Sequence, residues 1–286
     1  MLARALARYT LRGAPQHLIV HVTNRCHHRC GHCFTREGAV AELPLPRLQD
    51  LGRQVGPVLW LDMGGGEPFI RTDLPEIVAA FDAGMVQIPT SGATPERVCA
   101  LTQEILEASP AQLTISVSLD GDKDFHNALR GNRQSYDAAW ATLHTLLQIE
   151  HPRLTVKVNT VLMSHNLVQV LPLMCKVREV GPAFHSVILH RGQGRDATVG
   201  LPSLEELRSM GPEILGLQAS YDYGRGGLTS RLLRRYHRAL WELSLQVLEQ
   251  GAQPIPCLGG RVHLNVWSDG SVAPCELLPS VGDLTE

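Results

Sequence analysis

The stretch HLIVHVTNRCHHRCGHC, residues 17–33, runs an apolar, β-branched segment directly into a loop of thiols. His17 to Thr23 reads as a buried strand. The residues after it place Cys26, Cys30 and Cys33 as Cys-x3-Cys-x2-Cys. Three thiols so close in sequence can turn their sulfurs toward one metal centre from a single loop. Two kinds of metal suit such a loop. Zinc takes Cys and His freely, and His27, His28 and His32 stand beside the Cys30/Cys33 pair. An iron–sulfur cluster takes three thiolates and leaves one iron open to substrate. A structural zinc site usually closes its fourth position with a distant second pair, which weighs toward iron.

Outward from this loop, short β-rich runs alternate with amphipathic helical patterns, the signature of repeated βα units around a parallel sheet. Strands are predicted at His17 to Thr23, Val58 to Met63, Met85 to Thr90, Gln112 to Leu119, Leu154 to Leu162 and Ala183 to His190. Helices are predicted at Pro46 to Val55, Asp73 to Ala83, Thr94 to Ala108, Ser135 to Ile149 and Asn166 to Val180, with Asp73, Thr94, Ser135 and Asn166 as N-caps. Six right-handed units give an α/β fold, a partial (β/α)6 TIM-like barrel, with its chemistry in the loops after the carboxyl ends of the strands. After His190 the alternation stops. A polar loop RGQGRDATVG leads to helical stretches from Ser203 and from Leu228 to Glu249, then to a β-hairpin within Gly251 to Ala273. The division falls near residue 200, with the barrel in 1–200 and a small C-terminal extension in 201–286.

The composition, 44% hydrophobic and 19% charged over 286 residues, is that of an ordinary globular protein. With a formal net charge of −2 and no basic run interleaved with aromatics, no nucleic-acid partner is expected. No apolar stretch is long enough for a membrane span and no signal peptide opens the chain, so no membrane association is expected. MLARALARYTLRG reads as a short helix or lead-in, with a transit sequence as the alternative. Seven cysteines, an odd number without a secretory signal, point to reduced thiols and a cytoplasmic setting. Cys99 and Cys175 lie in helical patterns and read as small buried hydrophobes.

The loop CHHRCGHC after a first barrel strand resembles the signature of the radical S-adenosylmethionine superfamily. Further motifs follow in the family's order. Gly65, Gly66, Glu67 and Pro68 match its GGEP motif. PTSG, with Thr90, matches a Thr-Asn-Gly type turn loosely. Ser118 and Arg130, bracketing SLDG with Asp120, resemble the pair that meets the cosubstrate's ribose and carboxylate. The resemblance implies a 4Fe-4S cluster on Cys26, Cys30 and Cys33, with S-adenosylmethionine chelated at the open iron. It implies that GGEP holds the amino group and that the His32 carbonyl meets adenine. Asn159, Leu162 and Arg195 would complete the pocket, while Asp120 bonds a ribose hydroxyl or shapes its turn. Cys257 and Cys275 around the hairpin resemble the opening half of a SPASM or twitch extension, implying an auxiliary iron–sulfur cluster that these two thiols alone leave incomplete. Such extensions suggest a ribosomally made peptide as substrate, with dehydrogenation or rearrangement of a small molecule as the alternative and a noncatalytic zinc or iron–sulfur module as a distant one; the expected reductant is a flavodoxin or ferredoxin. Either the chain is truncated at VGDLTE, or the second site is degenerate, or another group completes it.

Overall fold

Along each parallel strand, alternate residues face opposite ways, and here the two faces differ in chemistry. Leu18, Val20 and Val22 of β1 (His17–Thr23), Leu61 and Met63 of β2 (Val58–Gly65), Val86 and Ile88 of β3 (Ala83–Thr90), and Leu113, Ile115 and Val117 of β4 (Gln112–Ser118) form one buried layer. Val156 and Val158 of β5 (Leu154–Leu162) continue it, and Phe184–Leu189 forms β6. This layer packs on α1 (Leu45–Val55), α2 (Leu74–Ala79) and α3 (Pro95–Ala108), then on α5 (Ser135–Leu147) and α6 (Leu167–Val180), which follow a short α4 (Lys123–Arg130). Each large aliphatic side chain buried there contributes about 2 kcal/mol. The opposite, inner face carries His17, Asp62, Gln87, Ser116 and Lys157. A parallel sheet covered on both sides would be apolar on both.

The structure is a computed structural model that describes residues 5, 9, 14–35, 42–224 and 226–284. Apart from Ala5 and Tyr9, the opening basic segment lies outside the described residues. The six parallel strands run in the order β6-β5-β4-β3-β2-β1 and leave the sheet open, as six βα units require. After β6 come α7 (Leu204–Ala219) and α8 (Gly227–Gln250), packed through Leu207, Ile214 and Trp241 against Val170 and Met174 of α6. The hairpin then joins the same sheet. Its strand β7 (His263–Val266) lies parallel to β1 with His263 opposite His17, and β8 (Ser271–Ala273) and β9 (Gly282–Asp283) continue antiparallel. Among the described residues no helix is long and apolar enough to cross a membrane.

Several local expectations are corrected. Asp73, Thr94 and Asn166 precede their helices but make no side-chain cap bond, and Ser135 is already the first residue of α5. Their side chains have other partners. Asp73 binds Arg71 (Nη2 to Oδ2, 2.6 Å), Ser135 Oγ meets His126 Nε2 at 2.9 Å, and Asn166 Nδ2 donates to the carbonyls of Asp120 and Val161. Caps form instead at Asp122, which accepts from Phe125 N, and at Ser203, in a box with Glu206. The helix expected to reach Ala83 ends at Ala79, because Ala83 is drawn into the sheet opposite Val58. Cys175 is exposed and Cys99 half-buried, not core, since the buried stripes run through Leu173, Met174 and Val177 on α6 and Val98, Leu101 and Thr102 on α3.

Candidate functional site

Beyond Thr23 the thiol loop folds over the carboxyl ends of the strands, and the glycines at the end of β2 make room for it. Gly66 N donates to Thr23 O and Glu67 N to Arg25 O, both at 2.8 Å. A Cβ on Gly66 would overlap the Arg25 carbonyl, and Gly65, at φ 129°, would meet Thr23 in the same way. The close approach these glycines permit is thus to the loop's own backbone. Two further seams hold the loop. Arg29 N donates to Arg130 O (3.2 Å) and Gly31 N to Leu129 O (2.9 Å), tying it to the end of α4, while Asp196 N donates to Gly31 O (2.9 Å) from the segment after β6.

Glu67, expected at the cosubstrate, and Asp120, expected at a ribose hydroxyl or in shaping its turn, both stand behind the wall. The Glu67 residue is 1% exposed, and its carboxylate accepts from Thr90 Oγ1 (2.9 Å), Ser91 N (2.7 Å), Ser91 Oγ (2.6 Å) and Phe69 N (3.3 Å). It staples the end of β2 to the end of β3. Asp120 is fully buried. Its Oδ2 accepts from Arg130 Nε (3.0 Å) and Nη2 (2.6 Å), and its Oδ1 from Val161 N (3.1 Å). Burial alone would raise this carboxyl, but the guanidinium beside it more than reverses that and holds it well below the usual carboxylate range. His126 Nδ1 accepts from Asp120 N (3.2 Å), so its Nε2–H points to Ser135; burial lowers this imidazole to about 3 and keeps it neutral. The turn after β4 is therefore a frame that aims Arg130.

In front of that frame, Cys26, Cys30 and Cys33 open onto one cavity of about 120 Å³. His32, Gly66, Thr90, Ser118, Arg130 and Arg195 line it as expected, joined by Asn24, His28, Thr35, Pro89 and Ser91. Asn24 and Thr35 carry one signal, their place just outside the cysteine triplet, and the sequence marks His28 only as a candidate zinc ligand. Gly65, Glu67, Pro68, Asp120 and Asn159 are absent from the lining. Packing around its sulfur pushes Cys26 up to about 11, although the residue as a whole is exposed, and burial raises Cys30 against the pull of Arg130. Burial lowers His28 and His32 to about 4, so both are neutral.

A cluster fits these residues. Both ring nitrogens of His28, His32 Nδ1 and Asn24 Oδ1 are buried without hydrogen-bond partners, leaving a polar wall with nothing to bind. Among the described residues no three Cys, His, Asp or Glu side chains stand close enough to hold a single metal ion, whereas thiolates bound to separate irons of a cluster stand apart. Cys257 and Cys275 lie elsewhere, on segments that meet where Gly259 packs against Pro274. The residue after Cys275 reaches back toward the barrel: Glu276 accepts from Arg191 Nη2 at 2.6 Å.

Three comparisons bear on this geometry. Residues 20–171 match the family model of the radical SAM superfamily. The AdoMet-dependent heme synthase of Methanosarcina barkeri is 27% identical over 93% of this chain and 78% of its own length. The Fe-coproporphyrin III synthase of the same organism is 31% identical over 44% of this chain, and the match spans only 33% of that protein. SuiB of Streptococcus suis, solved with S-adenosylmethionine and with its precursor peptide SuiA, shares the fold at TM-scores of 0.64 and 0.65 and 18% and 17% identity. The superposition covers 96% and 100% of this chain but 64% and 66% of SuiB. With three thiols on one cavity at the carboxyl ends of an open parallel sheet, and a family model matched from β1 through β5, the chain belongs to the radical SAM superfamily, whose enzymes use a 4Fe-4S cluster and S-adenosylmethionine.

Proposed function

We propose that this chain cleaves S-adenosylmethionine reductively at a cluster held by Cys26, Cys30 and Cys33, and that it abstracts a hydrogen atom from the side chain of a ribosomally made peptide. The observation that carries the reading is the convergence of the three thiols on a cavity whose wall includes the unpartnered polar atoms of Asn24, His28 and His32. A cluster held there would supply one electron to the sulfonium of S-adenosylmethionine, breaking its C5′–S bond to give methionine and the 5′-deoxyadenosyl radical. The chain's own residues do the rest. The Arg130 guanidinium favours negative charge on Cys30. Ser118 offers a hydroxyl to the cosubstrate, Thr90 and Ser91, whose hydroxyl protons go to Glu67, offer oxygens that accept from its amino group, and neutral His28 and His32 fill space that water would otherwise take.

The likeness to SuiB over the whole chain favours a peptide substrate. The 93% coverage by a heme synthase favours a second reading, a tetrapyrrole. Cys257 and Cys275 supply two ligands of an auxiliary iron–sulfur cluster, in a 201–286 extension whose hairpin continues the sheet of the 1–200 barrel. The electron comes from a flavodoxin or ferredoxin, in a cytoplasm reducing enough to keep the thiols free. Anaerobically reconstituted protein with dithionite is expected to form 5′-deoxyadenosine, and Cys30→Ala to form none. Zinc in place of iron, or a full cluster without cleavage, refutes the reading. Iron and sulfide per chain should fall in a Cys257→Ala/Cys275→Ala variant, and unchanged content refutes the second cluster.

A further inference from the structure

The inner face of the sheet holds a cation that the fold does not match. Lys157 on β5 is half-buried, and among the described residues its ammonium has no hydrogen-bond partner and no carboxylate within ion-pair distance. It is one of three lysines, with Lys123 and Lys176, in a chain with 26 Lys and Arg together. Asp62 faces it from across the barrel, but Asp62 is already held by His17 Nε2 (2.8 Å) and Trp60 Nε1 (3.1 Å). His237 approaches from α8. Burial lowers the Lys157 ammonium to about 8, so it remains mostly charged at neutral pH. Ser116 stands opposite Lys157 in the β4–β5 ladder, and Asn159 stands opposite Ser118. Ser116 Oγ and Asn159 Oδ1 are both buried without partners. Ser118 lines the cluster cavity, so Lys157, one same-face step below Asn159, lies about 7 Å deeper under it.

We propose that Lys157 and Ser116 form a carboxylate-binding site on the inner face of the barrel that anchors the substrate beneath the cluster pocket. The proposal rests on the function read above and adds the chemical class of the group recognised. A half-buried ammonium gains most from a carboxylate that also accepts from a neighbouring hydroxyl. Asn159 offers an amide to whatever hydrogen-bonding group lies next to that carboxylate. An acidic side chain or C-terminus of a peptide supplies this chemistry, and so does a tetrapyrrole propionate.

The test is anaerobic acetylation of the reconstituted protein with an N-hydroxysuccinimide ester, read lysine by lysine by peptide mass spectrometry, with exposed Lys123 as internal reference. Glutarate at ten times its dissociation constant should slow labelling of Lys157 about tenfold relative to Lys123, and glutaramide should not. Ser116→Ala should move half-protection several-fold higher in glutarate. An acidic peptide and coproporphyrin III are then compared, and the one protecting below the glutarate concentration identifies the source of the carboxylate. Equal labelling with and without glutarate, or equal protection by glutaramide, overturns the site. A protein that forms 5′-deoxyadenosine while its Lys157 ignores glutarate refutes this inference alone; one that forms none refutes the functional reading.

Discussion

Asp120→Asn isolates the frame behind the cluster loop. The substitution keeps shape and lets the amide oxygen still accept from Val161 N, but it removes the charge and turns an N–H group toward the Arg130 fork. Both partners are buried, Asp120 fully and Arg130 to 7% exposure, so water cannot stand in for the lost carboxylate. Removing one partner of such a pair costs about 3–5 kcal/mol, because the other is left as an uncompensated buried charge. At about 2 °C per kcal/mol for a chain of this size, the melting temperature should fall by about 6–10 °C. Urea unfolding followed by circular dichroism gives the free energy, and a double variant with Arg130→Met should recover most of it by removing the stranded charge. The loss also has a pH signature. The folded carboxyl is depressed below the unfolded value of about 3.9, so its contribution is fully present above that value and fades as pH falls through the folded one. The gap between wild type and Asp120→Asn should stay flat from about pH 5 to 8 and close below about pH 4. A loss under about 1 kcal/mol, or a double variant no more stable than Asp120→Asn, would refute the frame.

Two further outcomes are expected. Gly66→Ala forces a methyl into the Arg25 carbonyl and should cut iron bound per chain on reconstitution, whereas Gly216→Ala, exposed on α7 with open space around it, should leave iron content unchanged and stabilise by up to about 1 kcal/mol; equal iron in the two variants counts against the glycine seam. Because Cys26 and Cys30 are raised, cluster assembly must expel their protons, so iron affinity in competition with a chelator should climb between pH 7 and 8.5, and a flat profile would mean the thiols are already ionised.

Much of the fold was legible because periodicity is local. Leu18, Val20 and Val22 announce a strand within seven residues, and the six βα units follow from the same alternation. α4 leaves no periodic signal, since KDFHNALR is short and polar and is held in place by the Asp122 cap and the Asp120–Arg130 pair rather than by an apolar stripe. The N-cap residues were recognised by type and position, but side chains such as Asn166 found partners on β5 and in the turn after β4 that no local rule could name.

The sequence by itself determined the thiol loop, the glycines beside it and the family's order of motifs, all of which depend on spacing along one stretch of chain. Tertiary structure alone decided which of those residues face the cavity. Glu67 and Asp120 turned inward to brace Ser91 and Arg130, since a carboxylate encircled by donors is held more strongly than one left to water. It also decided the polar inner face. Ser116 meets Lys157 across 41 positions, and His17 meets His263 across 246. Such pairings are products of sheet register, which the chain acquires only when its hydrophobic face is buried.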